Sequence, residues 1–576
     1  MQIALNSNYC LYRCQTHRLP QLQPFLLPCS TAFRFPTLSP LHCRAMASSP
    51  PSVQVRDSID LTPKETQIFQ KLLQVVRHFS LRTQLRVAGG WVRDKLLGKE
   101  CYDIDIALDD MLGREFCEKV NDYLSCTGEE KQGIGVIQCN PDQSKHLETA
   151  RMRLFDEWID FVNLRSEDYS ENSRIPTMRF GTAEEDAYRR DLTINSLFYN
   201  INTSSVEDFT GRGIEDLKSG KIVTPLPPKD TFLDDPLRVL RAIRFGARFG
   251  FILDEELKLA AGCDDVRAAI ADKISRERIG HEIDLMISGN EPVKAMTYIC
   301  DLLLFLVVFS LPPIFQPAIS EECDRLCIGY IDAGWNLIQL IGSSTFNDEQ
   351  RRLYLYAALF LPFRKTLYEG GKARKASVLG LCFTAPMIPV VNHIIRNSLK
   401  LRASDADTVV SIHCAVEKFI SLIPFIESTE SIQISEAEWG IEILDLPVTS
   451  KLRILTGLLL REIKGFWRVA LMVSTLLYPN DINHTQDISK NNFQLDKRRK
   501  VFEMVENAIV GLGLEEVWEL KPLVNGKDIM NVLQLKSGGP LVRDWQQKLI
   551  QWQLAHPSGT AEECLDWMRQ KRPKRE

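Results

Sequence analysis

The first 56 residues contain no aspartate or glutamate. They do carry Arg13, Arg18, Arg34, Arg44 and Arg56, among many Ser, Thr, Pro and Leu residues. An acid-free, arginine-bearing and hydroxyl-rich start has the composition of an organelle transit peptide, with a merely disordered tail as the alternative. No continuous apolar stretch followed by a small-residue cleavage site stands out, which argues against secretion. Long apolar runs are also missing. The longest, Leu302–Leu311 and Tyr354–Phe363, are too short to span a bilayer and read as core helices. The 15 cysteines are scattered without paired spacing, and Cys323 and Cys327 have no His or Cys partners nearby. A zinc site is therefore not expected, and thiols in a reducing compartment are. No His-Asp pair points to a metal-dependent phosphohydrolase, and no internal repeat appears. The surface lacks a global positive charge, since the net charge is −5, so any nucleic-acid footprint must be local.

What is present begins near Leu61. Thr62-Pro63-Lys64-Glu65 fits a capping box with proline at the first helical position. Ile68, Phe69, Leu72, Leu73, Val76 and Phe79 then recur at helical spacing. Gly89-Gly90-Trp91-Val92-Arg93-Asp94 follows, led in by Val87 and Ala88, and then Asp103-Ile104-Asp105. The pattern reads as strand, glycine turn, short helix and a second strand with two carboxylates. Without a Cβ, backbone N–H groups can approach a phosphate closely, and Arg93 adds a cation beside them. Residues i and i+2 of a strand share a face, so Asp103 and Asp105 can together hold Mg²⁺, which prefers oxygen ligands. A phosphate cradle beside a metal site is the apparatus of phosphoryl or nucleotidyl transfer. Gly135-Val136-Ile137 and Trp158-Ile159-Asp160-Phe161-Val162 read as further strands. Tyr169–Thr182 reads as a mobile polar loop, and helical patterns dominate from about Leu233.

Three more segments carry chemistry. Arg189-Arg190-Asp191-Leu192-Thr193-Ile194-Asn195 follows the acids Glu184, Glu185 and Asp186, which suit a helix N-terminus. Arg190 could reach a triphosphate, and Asp191 and Asn195 lie one helical turn apart. Gly211-Arg212-Gly213 opens a glycine-rich turn. In Asp234-Asp235-Pro236-Leu237-Arg238-Val239-Leu240-Arg241-Ala242-Ile243-Arg244-Phe245, the arginines recur every three residues as a basic ridge, while Leu237, Leu240, Ile243 and Phe245 can face a core. A carboxylate accepts from the exocyclic amines of cytosine and adenine, and a guanidinium donates to their adjoining ring acceptors. Uracil and guanine place a carbonyl and an N–H there instead. An Asp235–Arg238 edge could thus select C and A without a template, the alternative being that Asp235 only caps a helix.

Taken in order, these motifs resemble the polymerase-β-like nucleotidyltransferases. More narrowly, they resemble the class II tRNA nucleotidyltransferases (CCA-adding enzymes) and bacterial poly(A) polymerases. The resemblance covers residues 61–290 strongly and the rest loosely. It implies an α/β nucleotidyltransferase head, a polymerase-β-like mixed sheet with helices, followed by an all-α neck, body and tail. The expected division is leader 1–56, head 61–200, neck 201–290 with a nucleotide-selecting helix, body 291–430, and a tRNA-binding tail 431–576. The proline, glycine and polar stretches near 310–322, 426–437 and 480–492 are candidate joints.

The resemblance implies template-independent CCA addition to tRNA from CTP and ATP. Asp103 and Asp105 would bind two Mg²⁺ ions. Gly90, Arg93 and Arg190 would hold the triphosphate. Asp235 and Arg238 would read the base, with Arg241 and Arg244 supporting the pocket. The fourth motif usually opens with Glu, and Asp234 here keeps the charge. Such enzymes commonly take a third carboxylate from a neighbouring strand, for which Asp160 is the candidate, an ordinary strand-edge aspartate being the alternative. Gly211–Leu217 resembles a head–neck hinge, and Lys273–Ile279 a segment supporting the neck. Asn525-Gly526-Lys527-Asp528 and Gly538-Gly539-Pro540 resemble the tail. Lys372–Lys375 and Lys497–Lys500 are candidate tRNA phosphate contacts, or plain solvated faces. A poly(A) polymerase, an enzyme adding only CC or only A, and an inactive RNA-binding scaffold are the competing readings. No membrane and no obligatory protein partner is implied. Mitochondrial or plastid import is expected from Met1, and a cytoplasmic or nuclear form from a second start at Met46, with Lys571–Arg575 a weak nuclear signal.

Overall fold

Helix α1, Pro63–His78, starts where the capping box places it. The Glu65 N–H donates to Thr62 Oγ1 at 3.2 Å, and the Thr62 N–H donates to Glu65 Oε2 at 2.7 Å. Ile68, Phe69, Leu72 and Val76 are buried as the spacing predicts, joined by Val75, while Leu73 and Phe79 are half-buried. The computed structural model describes residues 53–137, 149–168, 177–370, 386–427, 439, 448–478 and 494–571. Nearly all of the leader, the 372–375 cluster, most of the joints at 426–437 and 480–492, and residues 572–575 of the terminal basic run lie outside these.

A seven-stranded sheet forms the head, in the order β3-β4-β5-β2-β1-β8-β9. Its strands are β1 Leu85–Ala88, β2 Ile104–Leu108, β3 Ile134–Ile137, β4 Thr149–Leu154, β5 Glu157–Asn163, β8 Phe198–Asn200 and β9 Ser205–Glu207. Neighbours pair antiparallel except β2 and β5, which run parallel with Asp105 opposite Asp160. Alternation along β5 buries Ile159 and Phe161 and turns Trp158, Asp160 and Val162 to the other face. Helix α3, Gly113–Cys126, covers the buried face, with the Phe116 and Phe161 rings 5.4 Å apart. The segment read as a loop up to Thr182 is partly strand. β6, Arg165–Asp168, pairs with β7, Thr177–Phe180, and only 169–176 fall outside the described residues.

Beyond the head come α6, Pro228–Asp234, α7, Leu237–Phe249, and α10, Arg276–Ile287. Gly250 ends α7 at φ 73°, a left-handed cap that favours glycine. Beyond β9, which lies within the stretch expected to be neck, the described residues of neck and body are helical but for two small ribbons, Lys221–Ile222 with Ile252–Leu253 and Leu367–Glu369 with Met387–Pro389. One apolar core runs from Ile68 through the neck and body to Leu554. A separate core, including Ile529, Trp545, Trp552 and Met568, sits among the last three helices. There, Asn525 caps Gly526–Leu533, and Pro540 opens Pro540–Ala555.

Two surface readings change. Arg498, read as a phosphate contact, is buried and donates to the Tyr478 carbonyl at 2.8 Å and to that of Thr475. Its charge serves packing, because the helix Leu495–Gly511 turns this position inward. Helix Ala403–Glu427 is long and apolar enough by composition to cross a membrane, which the run-length reading did not single out. Val409, Val416, Phe419 and Ile423 of that helix are in the core, and buried His413 Nε2 lies 2.8 Å from the Ala357 carbonyl. Cys323 and Cys327 are buried free thiols.

Candidate active site

The glycine turn is built as the spacing suggests. Gly89 has φ 72°, a backbone that favours glycine, and a Cβ there would lie 2.7 Å from Arg190 Nη1 and push that guanidinium aside. Helix α2, Gly90–Leu96, starts at once. Across the sheet, oxygens of Asp103, Asp105 and Asp160 all lie within 4.8 Å of one another. Asp160 is therefore no stray edge residue. Arg151, its cross-strand neighbour, grips it with two bonds of 2.5 and 2.8 Å. Burial, followed by the charges of Asp103 and Asp160, pushes the Asp105 carboxyl up to about 6. Three converging carboxylates, one of them made reluctant to ionise, form a donor set suited to a hard divalent cation.

A cavity of about 620 Å³ opens beside Asp105. Its walls include Gly89, Gly90, Arg93, Arg190, Asp191, Asn195, Asp235, Arg238, Arg241 and Arg278. The structure thus gathers nearly all the residues singled out from sequence. Asp103 stands exposed at the rim within the carboxylate cluster. Arg244 departs. It is not among the cavity-lining residues, and it binds Glu282 at 2.6 Å while lying over Phe245. Six residues along a helix turn a side chain roughly 120° off its starting direction, so the ridge at every third residue cannot keep all three arginines on one wall.

The arginines are held by buried acids. Asp186 on α4, Ala183–Tyr188, receives Arg189 at 2.6 Å and Arg190 at 2.8 Å. Burial works to raise the Asp186 carboxyl, yet Arg190 and Arg189 hold it below the usual range. Arg190 also lies over the Phe198 ring. Asp191 receives Arg241 at 2.7 Å and Asn195 at 3.1 Å. Its burial opposes ionisation, but Arg241, Asn195 and Arg238 bring it down to about 2. Asp191 and Asn195 meet across a turn and the short 3₁₀ stretch Thr193–Asn195, since α4 has already ended. Arg93 is buried, bonded to Asp94 at 2.8 Å and to Asn195, and packed over Phe245 and Phe249.

Asp235 and Arg238 face the cavity already engaged. Asp235 Oδ1 accepts from the Leu237 N–H at 3.2 Å, and Oδ2 accepts from Arg278 Nη2 at 3.1 Å. Arg238 donates to the Arg189 carbonyl at 2.7 Å and lies 3.7 Å from Glu167. Turn formation and base reading are therefore not exclusive roles for Asp235. Sequence reading missed Arg278, Glu167 and the pairing role of Asp186. For Asp186 a signal existed, because acids three and four residues ahead of arginines pair on a helix. Arg278 and Glu167 reach the site only through tertiary packing. Gly213, read as part of a hinge, is tightly packed, for its Cβ would fall 2.7 Å from the Thr193 carbonyl.

A carboxylate cluster on a mixed sheet, a glycine turn and an arginine-lined cavity define a nucleotidyltransferase head, and residues 85–223 match the Poly A polymerase head domain. The mitochondrial CCA tRNA nucleotidyltransferase of Candida glabrata is 34% identical across 89% of this chain and 96% of its own length. That of Saccharomyces cerevisiae is 35% identical across 85% and 88%. The chain belongs to the CCA tRNA nucleotidyltransferase family. The Bacillus stearothermophilus CCA-adding enzyme, solved with CTP, shares the fold with a TM-score of 0.55 at 18% identity, over 89% of this chain and 98% of that one.

Proposed function

We propose that this chain adds CCA to the 3′ ends of tRNA from CTP and ATP without a nucleic-acid template. The observation that carries this is a single cavity joining the Asp105 carboxylate to an Asp235–Arg238 wall. Asp103, Asp105 and Asp160 would hold Mg²⁺, which would supply Lewis-acid activation of the 3′-hydroxyl and charge neutralisation for the departing pyrophosphate. Gly90, at the start of α2 and without a Cβ, lets the triphosphate approach its backbone, while the Gly89 N–H is taken by the Leu197 carbonyl at 2.9 Å; Arg190 faces the same turn, carried by Asp186. Asp235 offers its carboxylate to the exocyclic amine of C or A. Arg238 donates to the ring acceptor, and Arg278 and Glu167 fix the two in place. Arg241, tied to Asp191, supports this wall, and Arg244 stiffens α7 from outside the cavity. The helical tail holds the tRNA by backbone shape.

The test is purified protein given tRNA lacking CCA and each nucleotide singly. CTP alone should add two residues, and ATP should then add one. An extended A tract would instead mark a poly(A) polymerase, and a single A or CC alone would mark a partial enzyme. No addition under any condition would leave the scaffold reading.

The relatives' mitochondrial names and the acid-free leader support import into mitochondria, with plastids a second destination. A start at Met46 yields a cytoplasmic or nuclear form. A reporter fused to residues 1–44 should enter an organelle, and protein begun at Met46 should keep full activity in vitro. A reporter left in the cytosol would remove the leader reading without touching the enzyme.

A further inference from the structure

The face of the sheet that bears the carboxylates does not end at them. Asp103 and Asp105 lie between two flanks, because β2 sits between β1 and β5 in the sheet. On one flank are the glycine turn and Arg190. On the other, β5 and β4 present Trp158, Arg151 and Arg153, with Trp158 opposite Arg153 and Asp160 opposite Arg151. Trp158 is 53% exposed although it lies on a central strand, and the Arg151 guanidinium carbon is 5.9 Å from its ring centre. Ile137 on β3, 43% exposed, extends the same face. Tyr102, also exposed, is tied by its hydroxyl to Glu100 at 2.6 Å and lines a separate cleft beside α1.

We propose that Trp158, with Arg151 and Arg153, is the platform on which the single-stranded 3′ end of the polynucleotide substrate stacks. The inference rests on the reading of the adjacent cavity as the nucleotidyl-transfer site. In-line displacement places the attacking and leaving oxygens on opposite sides of the reacting phosphorus. With the triphosphate tail at the glycine turn, the attacking chain end arrives over the opposite flank, which is β5 and β4. Trp158 lies two residues from Asp160 on the same face, roughly 7 Å along the strand, so a base resting on it belongs to the last or penultimate nucleotide. Stacking suits the task. The terminal base changes after every addition, and an aromatic face accepts any base where hydrogen-bond readout would not. Arg153 is exposed, and its ion pair among the described residues is with Asp156 at 3.3 Å on the surface, which leaves it able to swing to a backbone phosphate.

The experiment compares the wild type with Trp158→Ala, Trp158→Phe and Arg153→Gln. Fluorescence anisotropy follows a labelled single-stranded pentaribonucleotide ending in CC, and steady-state rates give separate KM values for tRNA and CTP. Trp158→Ala should weaken oligonucleotide binding about tenfold and raise the tRNA KM, with the CTP KM unchanged. Trp158→Phe should restore most of the loss, which a folding defect would not allow. Arg153→Gln should lower the log–log salt slope by about 0.7. A 4-thiouridine at the penultimate position should crosslink within residues 157–163. Unchanged oligonucleotide affinity in Trp158→Ala, or a rise in the CTP KM alone, would overturn the platform. Binding needs no turnover, so a wild type that binds the oligonucleotide yet adds nothing would count against the catalytic reading and leave this one standing.

Discussion

Two sets of acids border the cavity and behave in opposite ways. On the sheet, Asp103, Asp105 and Asp160 crowd together, and Arg151 pairs with one of them. On the α4 and α7 side, Asp186, Asp191 and Glu167 are each matched to arginines. The first set lacks matching cations, and burial together with the charges of Asp103 and Asp160 keeps the Asp105 carboxyl raised near 6. The second is satisfied, and Asp191 shows it by a carboxyl near 2. Like charges held together await a cation, whereas paired charges hold a shape. On the proposed function, the difference separates residues that would act on substrate from residues that would aim them.

The sharpest way to break the comparison is Asp105→Asn. Losing an anionic ligand should slow both C and A addition by at least ~10²-fold, the scale of a lost transition-state electrostatic contact. Relief of like-charge crowding should leave the melting temperature unchanged or raised. Near-normal addition in saturating Mg²⁺ would remove the central claim. Asp186→Ala should do the reverse in kind, lowering stability first. It strands two arginines whose shared carboxylate is gone, at a cost of about 3–5 kcal/mol. Urea unfolding measures this, and a wild-type midpoint would show that the acid–arginine network does not hold the arginines.

The asymmetry also explains which parts of the molecule sequence could reveal. The glycine turn, Asp103, Asp105 and the Asp235–Arg238 pair sit at short spacings on elements with clear periodicity, so their neighbourhoods were legible. The fixed face of β5 made Asp160 a candidate, but only the parallel register with β2 brings it to Asp105. The satisfied network was mostly hidden. Glu167 meets Arg238 across 71 residues of chain and Arg278 meets Asp235 across 43, distances no local pattern encodes. Arg244 was assigned to the pocket because spacing by threes suggests one ridge, while the true helical pitch rotates it toward Glu282. The strand at Thr177–Phe180 was missed because its polar residues hid a pairing made through β6.

The pH dependence of metal binding sharpens the contrast further. A carboxyl raised to about 6 binds its proton more tightly in the folded state than in the unfolded one, where 3.8 applies. That favourable difference is full below the unfolded value and fades as pH rises through about 6. A divalent cation competes with that proton. Its affinity should therefore fall about tenfold per pH unit below this range, and the Mg²⁺-induced rise in melting temperature should be large at pH 7.5 and small at pH 5. Asp191, held near 2, contributes stability that is lost only as pH falls from its ordinary 3.8 through that value, so it stays constant across the same window. Asp105→Asn should flatten the Mg²⁺ effect. A metal-induced shift independent of pH would place the cation elsewhere.

The smallest expected effect tests whether Asp235 belongs to the acting set or the aiming set. Its carboxylate bonds the Leu237 N–H and Arg278, which is the behaviour of a positioning residue. It also lines the cavity in which, on the proposed function, the base edge is read. Asp235→Ala should lower stability by about 1 kcal/mol through the lost turn contact. If Asp235 also reads the base, UTP and GTP no longer meet a carboxylate set against their carbonyls. Their incorporation relative to CTP and ATP should then rise, since a base-edge contact is worth about 1–3 kcal/mol of discrimination. Arg238→Ala should weaken use of both C and A, because the donors to their ring acceptors are gone. Measuring the UTP to CTP ratio on tRNA ending at its discriminator base, beside a melting curve, separates the two roles. A lowered melting temperature with a wild-type ratio would assign Asp235 to the scaffold and leave Arg238 to read the base alone. Arg278→Ala then decides how the carboxylate is held. With its tether removed, Asp235 should lose selectivity in part while the Leu237 contact and the melting temperature persist.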